Sequence, residues 1–169
     1  QGSDITCYEH TSDVVEVAFT PDGKRVVSAS KGGTILFWDA TTGERLRTLK
    51  GHKVRIDCLA VSPDGSSIAS AGSDAKVRLW DAKSGDVLHT ISGHQGAVNG
   101  LAFSPTGDRI ASTSADKSIK VWDTISGEEM YTVTGHTASV EGVAFSPDGK
   151  QLASTSSGEK TIRIWDSRT

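Results

Sequence analysis

Histidine, serine and aspartate, the residue types of a hydrolytic triad, occur together in this sequence. One such set is His52, Ser70 and Asp74, and Trp80 follows it. In a hydrolase, residues of these types activate a single hydroxyl as the nucleophile. Here the histidines recur at one constant interval, at His10, His52, His94 and His136. A nucleophile is needed once, whereas a structural device recurs in every unit, and we therefore predict no catalytic residues.

The recurring histidines also lack the spacing of metal ligands. A zinc site needs three or four His, Cys or carboxylate side chains that converge on one ion. This sequence has one histidine per unit, with no cysteine or carboxylate cluster beside it. We therefore predict no metal and no cofactor. The fifth histidine, His89, is expected to lie on an outer strand in contact with solvent.

The tryptophans and prolines follow the same period. Each tryptophan precedes an aspartate, and the tryptophans are Trp38, Trp80, Trp122 and Trp165. All four prolines are spaced at the same interval as the histidines, and each lies in the same type of turn. The turn sequence is Ser-Pro-Asp-Gly in two of the four repeats. Internal repeats of about 40–45 residues, the range in which this interval falls, indicate an array of small structural units.

The second unit shows what each unit forms. Residues 56–62, 67–72, 76–80 and 86–91 read as strands, since apolar and polar residues alternate in them, most clearly from Lys76 to Trp80. Pro-Asp-Gly and similar sequences between them favour tight turns. No segment shows a sustained helical period. The sequence therefore predicts an all-β chain of four-stranded antiparallel meanders.

Composition limits the classes of function. A chain of 169 residues fits one domain. A net charge of −3 excludes the basic surface of a nucleic-acid binder, and no apolar run reaches the ~18 residues that span a bilayer. Cys7 and Cys58 form no disulfide framework and are expected to be free thiols, which predicts a reducing, cytoplasmic location. Gln1-Gly2-Ser3 looks like the remnant of a cleavable tag.

Over residues 4–169 these motifs resemble the WD-repeat (WD40) β-propeller family. Gly-His, Ser-Pro-Asp-Gly, Ser-x-Ser-x-Asp and Trp-Asp occur in order and at fixed offsets. The resemblance implies that each repeat is a four-stranded blade around a central channel. It also implies a structural hydrogen-bond network in each blade, which maps onto His52, Ser70, Asp74 and Trp80, and onto His94, Ser112, Asp116 and Trp122.

The first and fourth repeats depart from this pattern. The first keeps His10, Ser28 and Trp38, but Gly32 occupies the aspartate position. The fourth keeps three of the four network residues, which are His136, Ser154 and Trp165. Its turn is one residue longer and contains no aspartate. Whether Glu159 replaces the missing carboxylate stays open.

The alignment of the repeats predicts how the chain assembles. The repeats fall at about 10–50, 51–92, 93–134 and 135–169, with residues 4–9 as an outer strand, which makes sixteen strands in four blades. The resemblance implies rings of more than four blades. We therefore expect two chains to form one eight-bladed ring as a twofold homodimer, in which each N-terminal strand completes the partner's last blade. A closed four-bladed monomer and an engineered or excised half-propeller are the alternatives.

The resemblance further implies that partners bind at one rim of the propeller. The matching positions are Asp13, Val15, Lys31, Arg55, Asp57, Asn99, Ser139 and Glu141. None is aromatic and only Arg55 is a typical binding anchor, so an ordinary solvated rim is the alternative; the acidic members favour a basic peptide. The predicted function is a non-enzymatic protein-interaction scaffold that self-associates, with no nucleic-acid or membrane partner. A half-propeller whose main property is self-assembly and an enzyme are the other hypotheses.

Overall fold

The computed structural model describes residues 4–168, so the tag prediction for Gln1-Gly2-Ser3 lies outside the described residues. The described chain contains fifteen β-strands in four separate antiparallel sheets. This confirms the predicted all-β class and the division into blades. Within residues 4–168, no helix is long and apolar enough to cross a membrane.

Consecutive strands pair within each blade. Blade 1 contains β1 (Val14–Phe19), β2 (Arg25–Ser30), β3 (Thr34–Asp39) and β4 (Arg45–Lys50). Blade 2 contains β5 (Ile56–Val61), β6 (Ser67–Gly72), β7 (Lys76–Asp81) and β8 (Val87–Ser92). Blade 3 contains β9 (Val98–Phe103), β10 (Arg109–Ser114), β11 (Ile119–Asp123) and β12 (Glu129–Val133). Blade 4 contains β13 (Val140–Phe145), β14 (Gln151–Ser156) and β15 (Ile162–Asp166).

The turn residues explain where the strands end. Between β5 and β6, the Ser62 hydroxyl donates to Asp64 over 2.6 Å, and the amide of Gly65 donates to the Ser62 carbonyl over 2.9 Å. Gly65 has a φ of +71°, a left-handed conformation that glycine adopts without a steric penalty. After β7, the Asp81 carboxylate accepts the backbone N–H of Ser84 and closes the next turn. The aspartate of each Trp-Asp pair is therefore a turn residue.

The hydrophobic core lies in the joints between blades. Ile35 and Phe37 of β3 pack with Ile56 and Leu59 of β5, and all four are buried. The corresponding residues of blades 2 and 3, and of blades 3 and 4, form the next two clusters. Each blade thus contributes its inner strand to one joint and its third strand to the next.

The described N-terminal segment forms no strand within a single chain. The repeat alignment predicts an outer strand over residues 4–9, but the described chain has no strand before Val14, and blade 4 has three strands. An outer strand needs a neighbour to pair with, and β15, its expected partner, is at the opposite end of the array. Instead, the segment packs on blade 1, where Ile5 lies against Gly43 and Glu9 pairs with Arg45 over 2.6 Å.

The four blades form an open arc. The inner strands contact one another in the order β1, β5, β9 and β13. In the described part of the chain, no comparable contact returns from β13 to β1. A closed four-bladed monomer is therefore not the arrangement adopted.

Candidate functional site

Blade 3 contains the most complete polar network. The Ser112 Oγ lies 2.8 Å from both His94 Nε2 and Trp122 Nε1, and the indole N–H donates to it. The Asp116 carboxylate lies 2.9 Å from His94 Nδ1. Every polar atom of these buried rings therefore has a partner, which avoids the cost of about 1–3 kcal/mol for an unpaired buried group. The structure brings these four predicted residues together.

The network sets the protonation of its members. Burial lowers the pKa of His94, which keeps the ring neutral. Burial alone would raise the pKa of Asp116, but hydrogen bonds from Ser118, Gln95 and His94 outweigh it and hold the pKa well below its ordinary value. The ionised carboxylate accepts the Nδ1–H, so Nε2 accepts the proton of Ser112. Ser112 has no exposed surface, and its hydroxyl cannot reach a substrate.

Blade 2 departs from the predicted network. Arg78 lies between the histidine and the aspartate, with its Nη1 2.6 Å from His52 Nδ1 and 2.7 Å from Asp74 Oδ2. His52 and Asp74 are 3.7 Å apart, so the direct bond expected from the repeat pattern is absent. A guanidinium only donates hydrogen bonds, and His52 Nδ1 must therefore accept.

The arginine consequently reverses the tautomer of this histidine. Because Nδ1 accepts, the proton of His52 lies on Nε2, which donates to Ser70 Oγ over 2.8 Å. Trp80 Nε1 donates to the same Oγ over 2.8 Å. Burial, assisted by the Arg78 charge, lowers the pKa of His52 to about 4. Burial thus keeps the ring neutral as it does in blade 3, but here the arginine assists and the tautomer is reversed.

In blade 4, a glutamate provides the carboxylate of the network. Glu159 Oε2 lies 2.7 Å from His136 Nδ1, and Ser154 Oγ lies 2.7 Å from His136 Nε2 and 2.8 Å from Trp165 Nε1. The hydrogen bond from the Thr137 backbone, followed by that from His136, lowers the pKa of Glu159 to about 2. The inserted turn residue and the longer side chain therefore place a carboxylate where blades 2 and 3 have aspartate.

Blade 1 has no carboxylate at this point. His10 Nδ1 lies 3.2 Å from the Thr34 hydroxyl, and its Nε2 lies 2.7 Å from Ser28 Oγ. Trp38 Nε1 donates to the same Oγ over 2.8 Å. Gly32 offers no side chain, and the Thr34 hydroxyl is the side-chain partner of His10 Nδ1 instead.

The predicted rim contains one residue per blade in a special backbone position. In each inner strand, one residue is the extra member of a β-bulge, and these residues are Val15, Asp57, Asn99 and Glu141. A bulge redirects a side chain out of the regular alternation of a strand. The bulges therefore distinguish these four side chains from the rest of the rim.

The rim charges are largely paired with one another. Lys31 Nζ lies 2.8 Å from Asp13, and Arg55 forms an ion pair with Asp57. Asn99 Nδ2 donates to Ser139 Oγ over 3.0 Å. Of the three acidic residues that would favour a basic peptide, only Glu141 has no ion pair among the described residues. The electrostatic support for a basic partner is correspondingly small.

A set of hydrogen bonds between blades was not predicted. Each outer strand has a donor at one position, and it binds a backbone carbonyl of the next blade. Arg47 donates to the Lys83 carbonyl, His89 Nε2 lies 2.9 Å from that of Ile125, and the Tyr131 hydroxyl donates to that of Ser167 over 2.6 Å. The expectation that His89 is only solvated is therefore wrong. The regular spacing of the three donors was the available signal.

The described residues offer few groups for other chemistry. No cluster of three or more His, Cys, Asp or Glu residues that could hold a metal ion occurs within residues 4–168. Cys58 is buried and Cys7 is exposed, and both are free.

Comparison with known proteins identifies the class. The chain matches the family model of the WD domain, G-beta repeat, at residues 2–39, 43–81, 85–123 and 127–166. It belongs to the WD-repeat family. Members of this family are generally non-enzymatic scaffolds that bind proteins or peptides.

Individual relatives cover limited lengths. An uncharacterized WD repeat-containing protein of Nostoc sp. is 51% identical over 39 residues, which is 23% of this chain and 3% of that protein. Periodic tryptophan protein 2 of Arabidopsis thaliana is 39% identical over 49 residues, which is 29% of this chain and 5% of that protein. The chain therefore spans only a small part of these two relatives.

Solved structures show the same blades in longer chains. The structure of U3-55K is 29% identical with a TM-score of 0.88, over 94% of this chain and 50% of that chain. The RRP9 WD40 repeats are also 29% identical, with a TM-score of 0.87, over 93% of this chain and 49% of that chain. The four blades thus superpose on about half of each larger WD40 chain.

Proposed function

We propose that this chain is a non-enzymatic protein-interaction scaffold that closes with a second copy into an eight-bladed propeller. The observation that carries the proposal is a pair of exposed apolar faces, one at each end of the arc. Elsewhere in the repeat, the same positions are buried in blade joints. A closed ring would display the rim residues from eight blades to a protein or peptide.

The first face is that of β1. Val14 is 53% exposed, whereas Ile56, Val98 and Val140 at the corresponding positions are fully buried. Phe19, on the same strand, is 65% exposed. The internal positions are buried because a preceding blade packs on them, and the described chain has no blade before β1. This surface is therefore half of an unformed joint.

The second face is that of blade 4. Ile162 is 71% exposed and Ile164 is 66% exposed, whereas the corresponding residues in the other three blades are at most 1% exposed. A cleft of about 260 Å³ lies beside Ile162 and is lined by Val143, Ala144 and Ala153. This face has the residues that the third strand contributes to each internal joint.

The two faces fit each other because they are the two halves of the same repeating joint. Two chains that meet head to tail form two identical joints and close with twofold symmetry, provided that each blade turns the chain by about 45°. The superposition on half of longer WD40 chains supports a curvature suited to a larger ring. Each joint also removes apolar surface from water, at about 25 cal/mol per Å².

The networks support the non-enzymatic part of the proposal. The serine beside Nε2 of each network histidine is buried and already bonded to an indole N–H, and the arrangement recurs in all four blades. Free thiols at Cys7 and Cys58 support a reducing, cytoplasmic location for the scaffold.

Light scattering on the purified chain tests the assembly. We expect a particle of about 36 kDa, twice 17.8 kDa, with a thermal midpoint that rises with protein concentration. Ile164→Asp places a charge in the proposed joint and should give a monomer of 17.8 kDa. Ile125→Asp is the matched control, since Ile125 is also exposed but lies in a turn outside both faces. A compact monomer from the unmodified chain, or a ladder of larger species, would contradict ring closure.

A further inference from the structure

We infer that a cleft at the outer side of the joint between blades 1 and 2 binds an acidic segment of a partner protein. The partner places one aliphatic side chain in the cleft and a carboxylate beside it. This outer cleft has a volume of about 90 Å³ and is lined by Arg25, Phe37, Leu46, Arg47 and Ala82. The inference rests on the scaffold part of the proposed function and not on the ring, because one chain supplies both blades of this joint.

The outer cleft is separate from the predicted rim. Arg25 begins β2, whereas the rim residue Lys31 follows the other end of that strand. Leu46 and Arg47 belong to β4, the outer strand of blade 1, and the rim residues of the inner strands lie at the opposite edge of the blades. A partner bound in the outer cleft therefore leaves the rim accessible.

Both guanidinium groups of the outer cleft lack a carboxylate partner. The sequence has eight arginines, and in the described part of the chain neither Arg25 nor Arg47 forms an ion pair. The other six do, and these are Arg45, Arg55, Arg78, Arg109, Arg163 and Arg168. Guanidinium groups stay protonated, so two of them at one cleft repel each other. A bound carboxylate would relieve this repulsion and accept charge-assisted hydrogen bonds.

The corresponding arginine of blade 3 shows how a joint can occupy this position. Arg109 Nη1 donates to the Ser167 carbonyl over 2.6 Å, and its Nη2 donates to the Gly149 carbonyl over 2.9 Å. Arg25 takes part in hydrogen bonds only through its backbone among the described residues. Its guanidinium carbon lies over the Phe37 ring, 6.0 Å from the centroid. The side-chain donors of Arg25 are therefore available to a partner.

The apolar side of the outer cleft is equally open. Leu46 is 51% exposed although it stands beside Phe37 and Ala82, which are buried. Leu88 and Met130, at the same position of blades 2 and 3, are also about half exposed. Beside Leu88, however, the position of Arg25 is a serine, and beside Met130 it is the bonded Arg109. Of the three joints that the structure describes, only this one combines exposed apolar surface with available guanidinium donors.

The size of the outer cleft determines the class of ligand. Small-molecule sites have volumes of roughly 300–1,000 Å³, so this cleft admits one side chain and not a whole ligand. An inorganic anion would meet the guanidinium groups but leave Leu46 uncovered. A peptide with an aliphatic residue next to glutamate or aspartate satisfies both halves of the cleft.

An NMR titration of the whole chain with the tripeptide acetyl-Glu-Leu-Glu-amide tests the inference. We expect saturable shifts of the Arg25 and Arg47 Nε–H signals and of the Ala82 amide. The dissociation constant should lie in the millimolar range, since a single anchor buries little area. Arg25→Gln should weaken binding by about tenfold, because a neutral amide cannot replace the charge-assisted bonds.

Arg45→Gln is the matched control. It removes the same charge from β4, but its arginine is paired with Glu9, so it should change the affinity by less than about twofold. Equal weakening by both substitutions would indicate general charge attraction and overturn the inference. Should Arg25→Gln disturb the fold, Leu46→Asp should abolish binding, with Leu88→Asp, at the same position of blade 2, leaving it intact.

Two further ligands test the chemistry of the outer cleft. Acetyl-Gln-Leu-Gln-amide should bind at least about tenfold more weakly, because it has no carboxylate. Equal binding of this neutral peptide would reduce the site to an apolar contact and overturn the inference. Inorganic phosphate that binds as tightly as the acidic peptide would indicate a general anion site, and no saturable shift with the acidic peptide would refute the cleft altogether.

This inference and the proposed function can fail separately. Failure of the acidic peptide to bind would refute the outer cleft and leave the rim as the binding surface of the scaffold. A monomeric particle in light scattering would refute the ring and leave the outer cleft standing.

Discussion

Removal of the Asp116 carboxylate should destabilise the protein by about 2 kcal/mol, because the buried N–H of His94 loses its main acceptor. Asp116 accepts hydrogen bonds from His94 Nδ1 at 2.9 Å, from the amides of Gln95 and Ser118 at 2.8 and 2.9 Å, and from the Ser118 hydroxyl at 2.6 Å. The His94 ring is buried, so water cannot replace the lost acceptor there, and only the Ser118 hydroxyl, 3.3 Å from Nδ1, remains within reach. An unpaired buried donor costs about 1–3 kcal/mol, and we expect most of that cost because the remaining contact is long. The other three donors are partly exposed and can bind water, so their loss adds little.

Thermal and urea unfolding of Asp116→Ala, followed by tryptophan fluorescence at one fixed protein concentration, measures this effect. For a chain of this size, about 2 kcal/mol corresponds to a decrease of roughly 4–8 °C in the thermal midpoint. Asp123→Ala is the control, because Asp123 accepts only two exposed turn amides. Asp74→Ala should cost less than Asp116→Ala, since Arg78 still donates to His52 Nδ1. A change for Asp116→Ala within about 0.5 kcal/mol, the usual range of a surface substitution, would refute the role assigned to the network.

Three further changes test separate parts of the structure. The pKa of His52 is lowered from 6.5 to about 4, so between these pH values the unfolded chain binds a proton that the folded chain does not. The free energy of unfolding in urea should therefore fall as the pH drops from 6.5 to about 4, and this residue contributes up to about 3 kcal/mol to the decrease. A free energy of unfolding that does not change over this pH range would contradict the buried neutral state of His52. Lys117 has a φ of +74°, so Lys117→Gly should stabilise by about 0.5–1 kcal/mol in urea unfolding, whereas Lys76→Gly in a strand should destabilise. His89→Ala should remove one inter-blade hydrogen bond and lower the free energy of unfolding by about 1 kcal/mol, and His89→Gln, which retains a donor, should recover part of it.

Features that recur in every repeat could be predicted from the sequence, and features that belong to one repeat could not. The strands, the turns and the serine–tryptophan bonds follow from the repeat period, because each repeat has to satisfy the same local geometry. Arg78 between His52 and Asp74 could not be read from the pattern. A basic residue two positions before tryptophan reads as solvated, and only the structure shows its guanidinium reaching the ring.

The fourth repeat illustrates a different limit. Its sequence indicates a longer turn without aspartate, but not whether a glutamate can replace the missing carboxylate. That outcome depends on a side-chain distance, 2.7 Å between Glu159 Oε2 and His136 Nδ1. For residues 5–9, alignment with β4 predicts a strand. In the structure, this segment lies on blade 1 where the alignment places it. It can form a strand only by pairing with the free edge of another strand, and within one described chain no such edge lies beside it.

Repetition itself explains why the two ends of the arc should be complementary. Every internal joint is formed by the third strand of one blade and the inner strand of the next, so a row of blades leaves the first half of a joint at one end and the second half at the other. Val14 and Ile164 lie at the two ends of the described row of blades, and each is an exposed apolar side chain of the kind that a joint requires. A head-to-tail interface of this kind gives an open fibre if its rotation does not close and a ring if it does. The angle between blades therefore decides whether association is limited to two chains.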